Sequence, residues 1–251
     1  MTFLRQCFVV WRRQMRMSLR SPIWVVVGML QPVLYLVLFA PLLGPIATGI
    51  GYDNAYVFFV PGLLVQLGTF GALFAGFALI GEKREGVLES ERVTPANRTA
   101  LLVGRLGRDI TQLFAQVMIL VLLGWAMGLR APVTGVATGV VLTLLIGTAC
   151  AAGSNALAMG TSREDLLAPV INTVMMPVLL LSGILLPMSI GSAWLQTASD
   201  LMPIRYVVDA VRGSFSGDVS ASTLAAGTGW AAGLCVLALW WGTAAFRREQ
   251  A

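Results

Sequence analysis

Gly81-Glu82-Lys83-Arg84-Glu85-Gly86-Val87-Leu88-Glu89-Ser90-Glu91-Arg92 is the stretch on which the reading of this chain turns. It opens a segment, 81–109, that also carries Arg98, Arg105, Arg108 and Asp109, in a chain otherwise almost uniformly apolar. A charged side chain at the centre of a bilayer costs roughly 2.5–3.5 kcal/mol even on the mildest scale. The segment therefore belongs in water, and the long hydrophobic runs on both sides make it a loop between membrane spans. Both charge signs arranged around Val87 and Leu88 suit a short helix that another protein grips. A plainly solvated charged loop is the bland alternative.

Composition points the same way. The 251 residues are 57% hydrophobic and 12% charged, with mean hydropathy +0.81, where a soluble domain carries roughly 25% charged residues. The expected class is an all-α integral membrane protein. A net charge of +5 does not call for nucleic acid, because the arginines border the apolar runs instead of lining one face of a soluble fold. Histidine is absent and Lys83 is the only lysine. No Ser-His or Cys-His nucleophile, no histidine metal site and no phosphate-binding loop around Lys83, which Arg84 follows, can be built. No catalytic or metal-ligating residue is expected, and if the chain's work uses nucleotide energy, another chain supplies it. Cys7, Cys150 and Cys235 read as small hydrophobes.

Residues 1–20 place Leu4, Phe8, Trp11, Met15 and Leu19 at helical spacing, with Arg5, Arg12, Arg13, Arg16 and Arg20 on other faces. That is an amphipathic helix of the membrane interface, expected to be retained as a first anchor and not cleaved as a signal peptide. Six spans are expected at 22–43, 56–80, 110–129, 133–159, 166–186 and 224–246, each near the roughly 20 residues that a crossing helix needs. Thr94-Pro95 divides the 81–109 loop into two short helices, the second over 96–107. Residues 187–222 are too polar to span and too apolar for a solvated loop, so they read as short helices re-entering the membrane from the outer side. Fourteen of the 17 Lys and Arg fall on one side of this topology, which puts both termini and the 81–109 loop in the cytoplasm.

Uncharged polar groups inside the spans are Gln31, Gln66, Gln112, Gln116, Asn155, Asn172, Thr173 and Ser182. They are candidates for a substrate route, with hydrogen bonding between helices as the plainer role. Phe70, Phe74 and Phe77 form a stripe on the second span that suits packing, lipid or an apolar substrate. Asp209 and Arg212 lie one turn apart and are expected to pair with each other or with Arg205, as an outer gate, a dimer contact or a purely structural pair. The predicted span interiors hold no charge, which argues against an ion-coupled transporter. The missing histidine and acidic cluster argue against a membrane enzyme. A membrane assembly factor without transport is the alternative from another class.

Several motifs recur in a fixed order: Arg20-Ser21-Pro22, Gln31-Pro32, Gly81 to Glu89, Thr94-Pro95, Leu181-Ser182-Gly183-Ile184-Leu185-Leu186-Pro187, and Met202 to Arg212. Together they resemble the permease subunits of type-2 ABC exporters, and most of all the daunorubicin-resistance type. Gly191-Ser192-Ala193-Trp194 departs from the pattern, which often has a second proline before that tryptophan. The resemblance implies a non-catalytic permease of the cell inner (cytoplasmic) membrane that pairs with a second copy or a homologous permease. It implies docking of separate ATP-binding-cassette ATPase subunits, which bind the ATP and Mg. It implies that Glu82, Lys83, Arg84, Glu85, Val87, Leu88, Glu89 and Arg92 form a coupling helix, with Glu82 and Glu85 facing basic groups of the ATPase. Spans without charge suit an apolar or amphipathic drug, antibiotic or lipid, and the resemblance supplies the outward direction and a place in antibiotic resistance. A polysaccharide or glycolipid export permease is the alternative.

Overall fold

The computed structural model describes residues 2–20, 23–42, 44–49, 52, 54–87, 97–160, 164–185, 188 and 191–249. Among them the chain is helical and contains no strand: α1 (Phe3–Arg20), α2 (Ile23–Leu42), α3 (Gly44–Gly49), α4 (Ala55–Gln66), α5 (Ala75–Arg84), α6 (Arg98–Ala126), α7 (Val133–Gly160), α8 (Glu164–Leu181), α9 (Ala193–Asp200), α10 (Pro203–Ser216) and α11 (Ala221–Glu249). Among the described residues four helical stretches are long and apolar enough to cross a membrane: Ala55–Arg84, Thr99–Ala126, Val133–Gly160 and Ala221–Phe246. The apolar part of α2, Val26–Leu42, is shorter, and α8 has 18 residues.

The Ala55–Arg84 stretch is not one uniform helix. A wide π-helical turn, Leu67–Gly71, joins α4 to α5, an irregularity that recurs at functional positions in helices. There Gly68 lies so close to α7 that a Cβ would stand 2.9 Å from the Thr143 carbonyl oxygen. Eight residues on, a Cβ on Gly76 would meet Ser154 Oγ at 2.5 Å. Apolar side chains gain nothing by leaving lipid for each other, so small residues that let backbones meet are what packs such helices. Ser154 completes the contact by accepting from the Gly76 N–H at 3.1 Å and donating to the Leu73 carbonyl.

The buried side chains form two clusters. One gathers α4, the later part of α6, the first half of α7 and α10, around Phe58, Leu63, Val117, Leu142 and Phe215. The other gathers α5, the early part of α6, the end of α7 and Phe246 of α11, around Leu79, Leu102, Leu106 and Met159. They part at the π-helical turn, with Leu67 in the first and Ala72 in the second.

Two expectations are corrected. The 96–107 helix does not stand apart from the third span, because α6 runs unbroken from Arg98 to Ala126. Asn97 starts it, its side chain accepting from the Thr99 N–H at 3.0 Å while its own N–H donates to Gln6 of α1 at 3.1 Å; this is a side-chain cap in the usual sense. Nor is there a single docking helix from Glu82 to Arg92. Glu82, Lys83 and Arg84 are the last residues of α5, and Gly86 takes φ +71 just beyond, the left-handed position at which helices end on glycine. Leu88, Glu89 and Arg92 lie outside the described residues, as does the Thr94-Pro95 break.

Candidate functional site

The charged stretch that reads as a water-exposed loop is rooted in a buried ion-pair node. Glu82 is only 7% exposed and faces inward. Its Oε2 accepts from both Arg105 Nε at 3.1 Å and Nη2 at 2.9 Å, charge-assisted bonds that converge on one oxygen. Its Oε1 accepts from Gln14 Nε2 at 2.9 Å and lies 3.7 Å from Arg108 Nη1. Arg108 in turn donates to Gln14 Oε1 at 2.9 Å and grips Asp109 Oδ1 at 2.9 and 2.7 Å through Nε and Nη2. Gln14 and Arg105 are 2% and 1% exposed, and the Arg105 guanidinium sits 5.9 Å from the Phe246 ring centre. Four helices, α1, α5, α6 and α11, thus meet around one carboxylate.

Local sequence explains why α1 reaches it. Its inward side presents Cys7, Val10, Trp11 and Gln14, and Gly104 and Gly107 of α6 leave room for them: a Cβ at Gly104 would stand 2.6 Å from Val10 Cβ, and one at Gly107 3.1 Å from Trp11 Cδ1. Trp11 Nε1 donates to Thr111 Oγ1 at 3.2 Å. The stripe of Leu4, Phe8 and Leu19 lies on the opposite, exposed side. Lys83 is placed differently from Glu82, its ammonium donating to the Met159 carbonyl at 3.2 Å. That carbonyl belongs to the last turn of α7, where a cation also offsets the helix dipole. Arg84 and Glu85 are exposed and Val87 half-buried. The expectation that Glu82 faces a partner's basic groups therefore gives way to an internal role, while Glu85 stays on the outside.

The three residues expected at an outer gate are brought together, and of the two expected pairings it is the one with Arg205 that forms. Asp209 pairs with Arg205, 3.6 Å apart, and Arg205 also bonds Asp200. Arg212 leaves Asp209 and turns inward, 5% exposed, to donate to the carbonyls of Phe58 at 3.3 Å, Gly183 at 3.0 Å and Ile184 at 3.5 Å. Its guanidinium lies 4.2 Å over the Phe58 ring, a cation–π contact. The carbonyls after α8 need donors because no further helical turn supplies them, and Ser199 meets the Leu181 carbonyl in the same way at 2.6 Å. Gly62 allows this junction, since a Cβ there would stand 2.3 Å from the Ile184 oxygen. Tyr52, Ser182, Arg205, Asp209, Arg212 and Asp218 line a cleft of about 390 Å³ on this side. Burial pushes the Asp209 carboxyl above its ordinary range, against the pull of the Arg212 and Arg205 guanidiniums.

The expected route residues do not share one surface. Gln66 and Ser182 are buried, Gln31, Phe74 and Asn172 exposed, and Phe70 and Phe77 half-buried, with the Phe74 and Phe77 rings stacked 5.7 Å apart. Gln31 donates to the Tyr35 hydroxyl at 3.3 Å and Ser182 Oγ to the Leu179 carbonyl at 3.4 Å. Gln66 Oε1 and Thr143 Oγ1 are buried without a hydrogen-bond partner. The sequence reading missed Gln14, Arg105 and Ser154. For Gln14 a signal was present, an uncharged polar residue in helical phase with the apolar Cys7, Val10 and Trp11.

The family model described as ABC-2 type transporter matches residues 5–216. A relative named transport permease ycf38, from Cyanophora paradoxa, is 30% identical over 220 residues, covering 85% of this chain and 75% of its own. A relative named doxorubicin resistance ABC transporter permease protein DrrC, from Mycobacterium tuberculosis, is 23% identical over 238 residues, 94% of this chain and 86% of its own. A relative named daunorubicin resistance ABC transporter permease protein DrrB1, from Streptomyces coeruleorubidus, is 24% identical over 205 residues, 81% of this chain and 72% of its own.

Proposed function

We propose, from the premise that this chain belongs to the ABC-2 type transporter family and is a permease subunit of it, that it forms the membrane path of an ATP-driven exporter. In this reading it crosses the cell inner membrane six times with both termini in the cytoplasm. It pairs with a second copy or a homologous permease, and it takes its energy from separate ATP-binding-cassette subunits that hold ATP and Mg. Its cargo is an apolar or amphipathic small molecule, a drug, antibiotic or lipid. Two of the relatives bear the names of doxorubicin and daunorubicin resistance permeases, which supports that class.

The observation that carries the reading is the anchoring of both ends of the 87–97 segment. On one side stand Glu82 and Lys83, held by α1, α6 and the end of α7; on the other stand Asn97, Arg105 and Arg108, held by α1 and Glu82. A partner that moves this segment moves α1, α5 and α6 as one body instead of bending a floppy loop, which is what transmission by rigid elements requires. The ATPase contacts then fall to Arg84, Glu85, Val87 and the residues after them, Leu88, Glu89 and Arg92.

The test is co-expression with candidate ATP-binding-cassette subunits, copurification in mild detergent and measurement of vanadate-sensitive ATP hydrolysis. The native chain is expected to bring an ATPase with it, and Glu85→Arg to lose the partner or the coupled hydrolysis while folding normally. Absence of any bound ATPase under these conditions would sink the reading and favour a membrane assembly factor.

A further inference from the structure

Residues 1–52 contain five arginines, all within α1, and no carboxylate, the first acidic residue of the chain being Asp53. The face of α1 turned away from α6 carries Arg12, Arg13, Arg16 and Arg20 interleaved with exposed Phe8, Val9 and Met17. Together these line an open groove of about 350 Å³. Apolar side chains and guanidiniums are intermixed along it.

An acidic protein surface would satisfy the charge and leave the apolar side chains in water. A neutral bilayer would satisfy the apolar side chains and offer no counter-charge to Arg12, Arg16 and Arg20. Anionic phospholipid answers both, with phosphate on the arginines and the upper acyl chain on Phe8, Val9 and Met17. Guanidinium is also the side chain best matched to phosphate oxygens, through parallel N–H···O bonds. We infer that the outer face of α1 is a selective binding surface for anionic phospholipid headgroups, and that lipid seated there holds α1 against α6. The second half follows from the other face of the same helix. There Gln14 bonds Glu82 and Arg108, and Trp11 bonds Thr111, so the position of α1 sets the geometry of the ion-pair node.

The binding half does not depend on the exporter reading and is tested without an ATPase. The purified full chain in detergent is titrated with dansyl-labelled phosphatidylglycerol and, separately, dansyl-labelled phosphatidylcholine, with energy transfer from protein tryptophan as the readout. Each arginine near an anionic surface contributes roughly fivefold. Arg12→Gln, Arg16→Gln and Arg20→Gln together should therefore weaken phosphatidylglycerol binding by more than tenfold and leave phosphatidylcholine unchanged. Lysine at the same three positions should retain most of the preference, and Arg247→Gln with Arg248→Gln, a charge change elsewhere, should retain all of it. Equal binding of the two lipids by the native chain overturns the proposal, as does a triple glutamine variant that binds like the native chain. Complete displacement of the labelled lipid by millimolar inorganic phosphate also overturns it, by marking the groove as a phosphate site. In nanodiscs, thermal unfolding of the native chain should rise with phosphatidylglycerol content and that of the triple glutamine variant should not. A parallel rise in both removes the second half of the inference.

Discussion

Glu82→Gln isolates what the buried node contributes. The substitution keeps the side-chain volume and removes the charge that three neighbours share, two bonds from Arg105, one from Gln14 and the nearby Arg108 guanidinium. Arg105 cannot give up its proton, and at 1% exposure its charge is shielded from solvent. Removing one partner of a buried pair costs about 3–5 kcal/mol, chiefly because the other charge is stranded. For a chain of this size each kcal/mol shifts Tm by about 2–4 °C, so the midpoint should fall on the order of 10 °C. The assay is thermal unfolding in a fixed detergent, read from intrinsic tryptophan fluorescence. Glu82→Leu combined with Arg105→Met removes both charges, and buried pairs replaced by apolar groups of similar size are often neutral or better. This double variant should unfold above Glu82→Gln, with incomplete recovery because Gln14 also loses its acceptor and Arg108 a nearby counter-charge. A Glu82→Gln variant that melts within about 2 °C of the native chain would refute the reasoning, since Arg108 and Asp109 would then be carrying the balance without Glu82.

Gly76→Ala should destabilise by about 1–3 kcal/mol, the usual effect of overpacking, because its Cβ would stand 2.7 Å from the Ser154 carbonyl as well as 2.5 Å from its hydroxyl; thermal unfolding measures it, with Gly153→Ala, which meets nothing within 4 Å, as the control. Arg212→Lys should lower stability by about 2 kcal/mol on the same assay, since an ammonium cannot reach three carbonyls and stack on Phe58 at once. Gln66→Met removes a buried oxygen that has no partner, so stability should hold or rise by up to about 1 kcal/mol; a simultaneous drop in cellular drug efflux would mark Gln66 as a route residue, and unchanged efflux would remove it from the route.

The helical class was readable because its cause is one-dimensional: charge is expelled from lipid and apolar length crosses it. The sides of each helix were less readable, because they depend on which neighbour arrives. The periodicity of Leu4, Phe8, Trp11, Met15 and Leu19 marks an apolar stripe, yet α1 packs through Val10, Trp11 and Gln14, and two glycines of α6 decide that. Nothing local to Gly104 or Gly107 says which helix they make room for. The charges of 81–109 looked uniform in sequence, whereas the fold sorts them into buried Glu82 and Arg105 and exposed Arg84 and Glu85. That sorting follows helix phase: Glu82 lies three residues after Leu79 on the buried side of α5, so it is carried inward, and Arg105 is available there because Leu101, Leu102 and Leu106 turn the same part of α6 toward the core. The choice between Arg212 and Arg205 as the partner of Asp209 was hidden for a related reason. Spacing by one turn permits a pair with Asp209, but the carbonyls left open after α8 are stronger claimants on a buried guanidinium.

The two hydrophobic clusters, the node and the π-helical turn make one mechanical statement. The second cluster includes the base of the charged segment and is closed by Glu82, Arg105 and Gln14. The first cluster includes α4 and α10 and is closed on the far side by Arg212 on Phe58, Gly183 and Ile184. Each body is pinned by a buried arginine, and such a site tolerates displacement poorly because moving its partners strands the charge. Along the Ala55–Arg84 stretch the bodies are joined through Leu67–Gly71, a wide turn that departs from regular α-helical hydrogen bonding and holds two glycines. Helices α6 and α7 cross the same boundary as unbroken α-helix. On the proposed coupling, a displacement applied at the charged segment would be passed on by α6 and α7 and taken up at the Leu67–Gly71 turn, beside the Gln66 and Thr143 side-chain oxygens that lack a hydrogen-bond partner. The irregular turn and two of the unsatisfied buried atoms of the described interior lie together there, so the proposal locates the yielding point inside the bundle and away from the charged segment.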